Sequence, residues 1–166
     1  MQSTQPAGAA AGLKANTSDV DQYLTFGLGQ EEYGIEILKV QEIKGYSAIT
    51  PIPNTPAHVK GVMNLRGTVV PVVDLRSKFS MEAMEYNKFT VIIVVTVGAK
   101  IAGLVVDAVS DVLNIPSSEI RPAPDFGSRA DTRFITGMAS SGEKLTVLLD
   151  VDRLLGEEEL AAGSES

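Results

Sequence analysis

The chain has 166 residues and a formal net charge of −7 at pH 7, and 44% of its residues are hydrophobic. This composition provides enough apolar residues for the core of one soluble domain, or of two small ones. The acidic charge argues against binding to nucleic acid, because it repels the phosphate backbone. The chain has no cysteine and a single histidine, His58. Disulfides, thiolate metal sites and multi-histidine metal sites are therefore excluded, and we expect neither a metal nor a cofactor.

The two ends of the sequence differ from its middle. Residues 1–20 are small and polar and lack the basic start and apolar run of a signal peptide, so they predict a disordered N-terminal tail. The longest apolar run, 89–97, is too short to span a bilayer. We therefore expect a cytoplasmic protein without membrane insertion. Residues 156–166 are expected to form the end of a C-terminal helix and a tail.

Between these ends, short runs rich in Val, Ile, Tyr and Phe alternate with Gly, Pro and Asn. This pattern is typical of an all-β barrel or sandwich. The predicted strands lie at 22–28, 32–37, 40–50, 67–73, 89–97, 100–106, 108–115, 134–138 and 144–149. Asp74 is expected to cap a short helical turn through Phe79, and Asp150 a longer helix through about Ala161. An aspartate side chain accepts hydrogen bonds from the unpaired N–H groups at a helix start.

Two gapless alignments relate the first half of the sequence to the second. In the turn–strand alignment, Gly61 falls on Gly137 and 69–75 falls on 145–151. In the hairpin alignment, the equivalent pairs are Gly29 and Gly98, Gly34 and Gly103, Val40 and Val109, and Glu42 and Asp111. We therefore expect two similar β-barrel subdomains, approximately 21–85 and 86–155, with strands free to cross between them. Closed barrels have no exposed edges, and the seam between them is expected to form a groove.

The motifs that suggest catalysis have simpler explanations. Asp74 and Asp150 each follow an apolar strand, but the chain has no glycine-rich phosphate loop with a lysine, so helix capping explains them better than nucleotide hydrolysis. Gly27-Leu28-Gly29 begins like a dinucleotide fingerprint, but the pattern around it predicts a hairpin. Ser140-Ser141 has no base beside it. We assign no catalytic residue and expect a binding protein. A small hydrolase built on the two aspartates is the alternative.

The segment Asn64-Leu65-Arg66-Gly67 precedes a predicted strand. Asn and Gly tolerate positive φ, so the segment predicts a turn. A turn alone does not explain the arginine at its tip. We expect Arg66 either to pair with a carboxylate such as Glu42 or to project toward a partner.

Five segments of this sequence resemble the CheW family of chemotaxis coupling proteins, and most closely its enterobacterial type. The segments are EYGIEILKVQEI at 32–43, GVMNLRG at 61–67, VPVVDLR at 70–76, GLVVDAVSDVL at 103–113 and IRPAP at 120–124. They are long and specific, and the resemblance extends over residues 22–155. A module of a longer protein, such as the kinase's own regulatory domain, is disfavoured because only the short segment 156–166 follows Leu155.

The resemblance implies an all-β fold of two SH3-like five-stranded β-barrels with a short C-terminal helix. It implies a non-catalytic adaptor that bridges the cytoplasmic hairpin tips of methyl-accepting chemoreceptors and the regulatory domain of the histidine kinase CheA. It also implies mixed rings of coupling protein and kinase domain in membrane receptor arrays, with self-association of the chain in these rings. The receptor-binding positions that it implies are Val40, Glu42, Gly61, Asn64, Leu65, Arg66, Gly67, Val91 and Val112. Val40 and Val112 are expected to approach the seam from opposite barrels, and no kinase-binding residue is assigned.

Overall fold

The computed structural model describes residues 20–122, 134–141 and 143–156, and within them the chain forms ten strands. The strands are β1 Val20–Leu28, β2 Glu31–Glu36, β3 Val40–Gly45, β4 Val59–Leu65, β5 Thr68–Asp74, β6 Val91–Val97, β7 Lys100–Val106, β8 Ala108–Pro116, β9 Ile135–Ser141 and β10 Lys144–Leu149. The helical turns are η1 Ile37–Lys39, α1 Leu75–Lys78, η2 Ser117–Glu119 and α2 Val151–Leu154. No helix in these described segments is long and apolar enough to cross a membrane.

Each predicted β-rich run overlaps a strand, so the all-β prediction is confirmed. The sequence pattern misses one strand, β4, because Gly61 and Asn64 interrupt its apolar residues and favour a turn instead. The run predicted at 40–50 is too long, since β3 ends at Gly45. β1 begins at Val20, the last residue of the predicted tail, and residues 1–19 lie outside the described part of the chain.

Asp74 and Asp150 cap α1 and α2, as the sequence predicts. Each side chain accepts hydrogen bonds from the backbone N–H groups two and three residues later. The helix predicted through about Ala161 is wrong in length. It ends at Leu154 because the next residue, Leu155, has an extended backbone and is followed by a glycine, a poor helix former. The remainder of that prediction lies outside the described residues.

The strands form two five-stranded sheets, in the orders β8-β1-β2-β10-β9 and β3-β6-β7-β5-β4. An isolated bridge joins the two ends of each sheet. Thr50, which follows β3, pairs with Val62 of β4, and Arg121, which follows β8, pairs with Met138 of β9. These closures support the predicted fold of two barrels, which is confirmed. We name them barrel 1 (β1, β2, β8, β9 and β10) and barrel 2 (β3 to β7).

The barrels do not coincide with the sequence halves 21–85 and 86–155. The hairpin β1–β2 pairs with β8 and β10 of the second half, whereas the hairpin β6–β7 pairs with β3 and β5 of the first. Each barrel therefore takes one hairpin from one repeat and three strands from the other. The alignments alone do not settle this exchange, because they identify equivalent segments but not which copies pair.

The duplication extends to the hydrogen-bonding register. Equivalent pairs in the two alignments are Val40–Val95 and Val109–Phe26, Val72–Gly103 and Leu148–Gly34, and Val59–Val73 and Ile135–Leu149. The irregular positions also correspond, since the register shifts beside Val40 on β3 and beside its counterpart on β8. The repeated glycines and aspartates of the sequence thus mark the same turns, bulges and caps in both barrels.

The largest cluster of buried side chains described lies between the barrels and takes residues from both of them and from both α-helices. This inter-barrel cluster consists of Leu24, Phe26, Leu28, Ile35, Val59, Val73, Leu75, Ile93, Val95, Ala102, Leu104, Val106, Phe134, Leu149, Val151, Leu154 and Leu155. Smaller clusters fill barrel 1 (Tyr23, Ile115, Ala139 and Leu148) and barrel 2 (Met63, Leu65, Val70, Val72, Ile92, Val94 and Val105). The interior of the seam is therefore a packed core, which leaves no room for a partner inside it.

Barrel 1 contains an unpaired polar group. Thr146 is fully buried, and its Oγ1 has no hydrogen-bond partner among the described residues. The equivalent position in barrel 2, by the turn–strand alignment, is the apolar Val70. Thr25 is also fully buried, but its hydroxyl donates to the carbonyl oxygen of Asp111 at 3.1 Å. The two threonines therefore differ in hydrogen bonding and not in burial.

We expect Thr146→Val to raise the free energy of unfolding by about 1 kcal/mol, because a buried unpaired polar group costs about 1–3 kcal/mol. Thr25→Val is the matched control, and it should lower the free energy of unfolding because it leaves a carbonyl oxygen without its donor. Urea unfolding of both variants measures the difference. Equal losses in the two variants would contradict the unpaired state of Thr146.

Candidate functional site

The predicted turn at 64–67 is a two-residue hairpin between β4 and β5. Its central residues, Arg66 and Gly67, have φ of 51° and 90°. Positive φ at both central residues is what a type I′ turn requires. Asn64 fixes the turn, because its Oδ1 accepts a hydrogen bond from the Gly67 N–H at 3.0 Å. A non-glycine residue with positive φ is uncommon, so the arginine at this tip calls for a side-chain role.

The Arg66 side chain reaches across to β3 and pairs with Glu42. Its Nη2 donates to Glu42 Oε2 at 2.5 Å, and the side chains are 66% and 29% exposed. The hydrogen bond from Arg66 lowers the pKa of the Glu42 carboxyl, so the pair is charged at neutral pH. The predicted pairing with Glu42 is confirmed. Most of the arginine side chain also remains accessible to a partner.

Val40 lies two residues before Glu42 on β3, and Val91 begins the neighbouring strand β6. Both are partly buried against the inter-barrel cluster. Their strands, β3 and β6, are neighbours, and Val91 pairs with Gly45 at the end of β3. Val40, Glu42 and Val91 therefore share one strand pair of barrel 2, with Arg66 approaching from the β4–β5 turn.

Gly61 and Leu65 have a different setting, because both lie in the interior. Gly61 is buried with φ of 145°, and a Cβ atom on it would lie 2.0 Å from the carbonyl oxygen of Thr50. Leu65 is 6% exposed and belongs to the cluster inside barrel 2. Burial leaves these two residues little surface for direct contact with a partner.

Val112 lies in the other barrel, on β8, where it pairs with Leu24 and is 44% exposed. By the hairpin alignment its counterpart is Ile43, which is 42% exposed, whereas the counterpart of Val40 is Val109. Val112 and the Glu42–Arg66 pair therefore belong to different barrels. Ile43 is not among the positions predicted from the sequence, although the hairpin alignment pairs it with Val112.

A second pair of exposed apolar side chains follows the turn–strand alignment. Val69 on β5 and Leu145 on β10 are equivalent in it, and they are 48% and 51% exposed. Each barrel thus presents the same two apolar positions to solvent. Single exposed apolar residues are common on protein surfaces, and what distinguishes these four is that both copies of the repeat carry them.

The aspartates of the hydrolase alternative are engaged in holding the fold. Besides capping α1, the buried Asp74 carboxylate accepts a hydrogen bond from the Tyr86 hydroxyl at 2.5 Å. Burial, together with the hydrogen bond to Asp74, raises the pKa of Tyr86, so the hydroxyl stays protonated as a donor. Asp150 caps α2 in the same manner. In the described segments, no three His, Cys, Asp or Glu side chains are grouped to hold a metal ion.

Comparison with known proteins extends over both barrels. Residues 22–159 match the CheW-like domain. The chain is 49% identical over 156 residues to chemotaxis protein CheW of Klebsiella aerogenes, and the match covers 93% of this chain and 94% of that protein. It is 38% identical over 141 residues to chemotaxis protein CheW of Rhizobium meliloti, with 85% and 91% covered.

A solved structure agrees with the fold. The crystal structure of the scaffolding protein TtCheW from Thermoanaerobacter tengcongensis matches with a TM-score of 0.77 and 34% sequence identity. The match covers 84% of this chain and 96% of that one. The resemblance found in the sequence, including its enterobacterial character, is confirmed, and the chain belongs to the CheW family.

Proposed function

We propose that this chain is a non-catalytic adaptor that couples chemoreceptors to the histidine kinase CheA in bacterial chemotaxis arrays. Its membership of the CheW family supports this function, as do relatives named chemotaxis and scaffolding proteins. The observation that carries the proposal is the match of residues 22–159 to the CheW-like domain, and the accessible Glu42–Arg66 pair on barrel 2 supports a binding surface there. Such a surface suits binding, and the conspicuous aspartates are committed to helix caps.

The cytoplasmic hairpin tip of a methyl-accepting receptor would lay a helix on barrel 2. Val40 and Val91 would supply apolar area beside Glu42, as in other complexes in which an amphipathic helix docks into a groove. Arg66 and Glu42 would set the register, because charged groups contribute more to specificity than to affinity. Among the other positions of the motif, Asn64 and Gly67 hold the turn, and Gly61 and Leu65 act through the barrel.

The matched apolar positions support a second kind of contact, with proteins built like this chain. Ile43 and Val69 on barrel 2 have the same arrangement as Val112 and Leu145 on barrel 1. A kinase regulatory domain of the same fold, or a second copy of this chain, would meet a similar surface on either barrel. Contacts between unlike faces propagate, and they close into rings when the rotation permits. The adaptor would be cytoplasmic and recruited to membrane receptor clusters.

Arg66→Ala is expected to weaken binding to a purified receptor cytoplasmic fragment by roughly tenfold, the effect of losing a contact near the centre of an interface. The melting temperature should change little, because the side chain is 66% exposed. Titration of labelled fragment, with and without the kinase, measures the binding. Lys144→Ala is the matched control, since Lys144 is 76% exposed and pairs with Glu32 on the other barrel.

A double-mutant cycle with Glu42→Ala separates a binding role from a structural one. If the ion pair serves the receptor, the two substitutions are coupled in binding and not in melting. If both single variants and the double variant share one melting defect and bind the receptor fragment normally, the proposed role of Arg66 is wrong.

A further inference from the structure

The described strands cross from one barrel to the other at two points. β2 of barrel 1 continues through η1 into β3 of barrel 2, and β7 of barrel 2 continues through the single residue Asp107 into β8 of barrel 1. The two crossings are equivalent in the repeat, since Leu38 in η1 corresponds to Asp107 in the hairpin alignment. Each crossing forms an ion pair with the α-helix that follows the last strand of a repeat.

In one of these ion pairs, Arg76 of α1 forms two hydrogen bonds with Asp107. Arg76 Nε donates to Oδ1 at 2.8 Å and Nη2 donates to Oδ2 at 2.7 Å. The backbone N–H of Gly29, in the β1–β2 turn, also donates to Oδ2 at 2.8 Å. Asp107 thus connects a helix of barrel 2 with a hairpin of barrel 1. Both side chains of the ion pair are well shielded, at 14% and 19% exposed.

At the other crossing, through η1, the charges are reversed. Lys39 Nζ of η1 donates to the Oδ1 and Oδ2 atoms of Asp152 on α2 at 3.2 and 3.0 Å. Asp152 is the counterpart of Arg76 in the turn–strand alignment, so equivalent helix positions carry opposite charges. The side chains of Lys39 and Asp152 are 31% and 50% exposed.

The Arg76–Asp107 pair is stronger than the Lys39–Asp152 pair. A two-point hydrogen-bonded contact between a guanidinium and a carboxylate is strong and directional. Burial raises the pKa of Asp107, and the hydrogen bonds from Arg76 and Gly29 reverse that shift and lower it overall. An exposed lysine–aspartate pair is weaker, because water and salt screen it and the ammonium group is mobile.

We propose that the two ion pairs form an asymmetric device that sets the orientation of the barrels. The Arg76–Asp107 pair is the fixed side, and the Lys39–Asp152 pair is a latch that opens and allows a small rotation. The inter-barrel cluster limits this movement to sliding of packed surfaces, as in shear motions. Lys39 directly precedes Val40, so the latch is adjacent to the proposed receptor surface. The link to receptor binding rests on the proposed function, whereas the latch itself does not.

The orientation is measurable because the chain has no cysteine. Spin labels on Val69→Cys and Leu145→Cys, one in each barrel at equivalent exposed positions, report the inter-barrel distance by double electron–electron resonance. We expect Lys39→Ala to shift and broaden the distance distribution. Sodium chloride at about 1 M should do the same in the labelled parent protein, because the screening length falls to about 3 Å. Combining Lys39→Asp with Asp152→Lys should restore the narrow distribution.

Lys144→Ala is the matched control, since Lys144 pairs with Glu32 inside barrel 1. Its distance distribution should be that of the parent protein. Arg76→Lys keeps the charge but removes the two-point hydrogen-bonded contact with Asp107. It should shift the mean distance between the spin labels at low and high salt alike. An unchanged distribution in Lys39→Ala, or equal broadening in Lys144→Ala, would overturn the proposal. The labelled chain is measured without a receptor, so a failure of the receptor-binding test leaves this result independent.

Discussion

Gly61→Ala is expected to lower the free energy of unfolding by about 4 kcal/mol or more, which few single substitutions reach. The added Cβ would lie 2.0 Å from the carbonyl oxygen of Thr50 and 2.8 Å from Cα of Pro51. These are backbone atoms, so no side-chain rotation relieves the overlap. The φ of 145° at Gly61 adds strain that residues with a side chain rarely tolerate.

The close approach at Gly61 is what closes barrel 2. Thr50 and Val62 exchange two backbone hydrogen bonds there, at 2.8 and 2.9 Å. Barrel 1 uses the same device at Gly137, where a Cβ would lie 2.9 Å from the carbonyl oxygen of Arg121. Glycine at these equivalent positions lets Thr50 and Arg121 approach closely enough to close the two barrels.

Thermal and urea unfolding test this expectation, with Gly45→Ala as the matched control. Gly45 lies on β3 of the same barrel, and a Cβ added to it would have no neighbouring atom within 4 Å. That variant should remain within about ±0.5 kcal/mol of the parent. Equal stability of the two variants would show that the closure tolerates a side chain. If Gly61→Ala is destabilised as expected, a receptor-binding defect of this variant is a consequence of unfolding.

Sequence patterns predict the local structure of this chain well and its long-range pairing poorly. Alternating apolar runs, turn glycines and capping aspartates act within a few residues, so the strands, the turns and the repeat are accessible from the sequence. Exchange of the β1–β2 and β6–β7 hairpins is not accessible, because equivalent strands from either repeat satisfy the same local pattern. β4 is also not predicted from the sequence. Local rules interpret Gly61 as a turn residue, whereas in the structure it allows the close approach of Thr50.

The candidate site shows the same division. The Glu42–Arg66 pair is predictable because an arginine at a turn tip needs a partner. Burial of Leu65, directly before the tip, cannot be deduced from the motif, which contains the end of a strand as well as the turn. The Arg76–Asp107 contact is also hidden in the sequence, because it joins groups 31 residues apart that only the crossing of the barrels brings together.

Phe26→Ala is expected to lower the free energy of unfolding by about 3–5 kcal/mol, the usual cost of removing a buried aromatic ring. Phe26 lies on the exchanged hairpin, is fully buried in the inter-barrel cluster and stacks on Tyr33 with ring centroids 6.1 Å apart. Its counterpart in barrel 2, Val95, belongs to the same cluster. The substitution should therefore weaken both barrels together, although Phe26 belongs to only one of them.

Urea unfolding followed by far-ultraviolet circular dichroism and by tyrosine fluorescence tests this cooperativity. The chain has four tyrosines and no tryptophan, and Tyr23 and Tyr86 report on different barrels. We expect one coincident transition for the parent and for Phe26→Ala, because neither barrel retains its core when the exchanged hairpin detaches. Phe89→Ala is the matched control, since Phe89 is 60% exposed and its loss should cost within about ±0.5 kcal/mol. Separate transitions by the two probes would show that the barrels fold independently, and the inter-barrel cluster would then contribute far less to stability than its burial indicates.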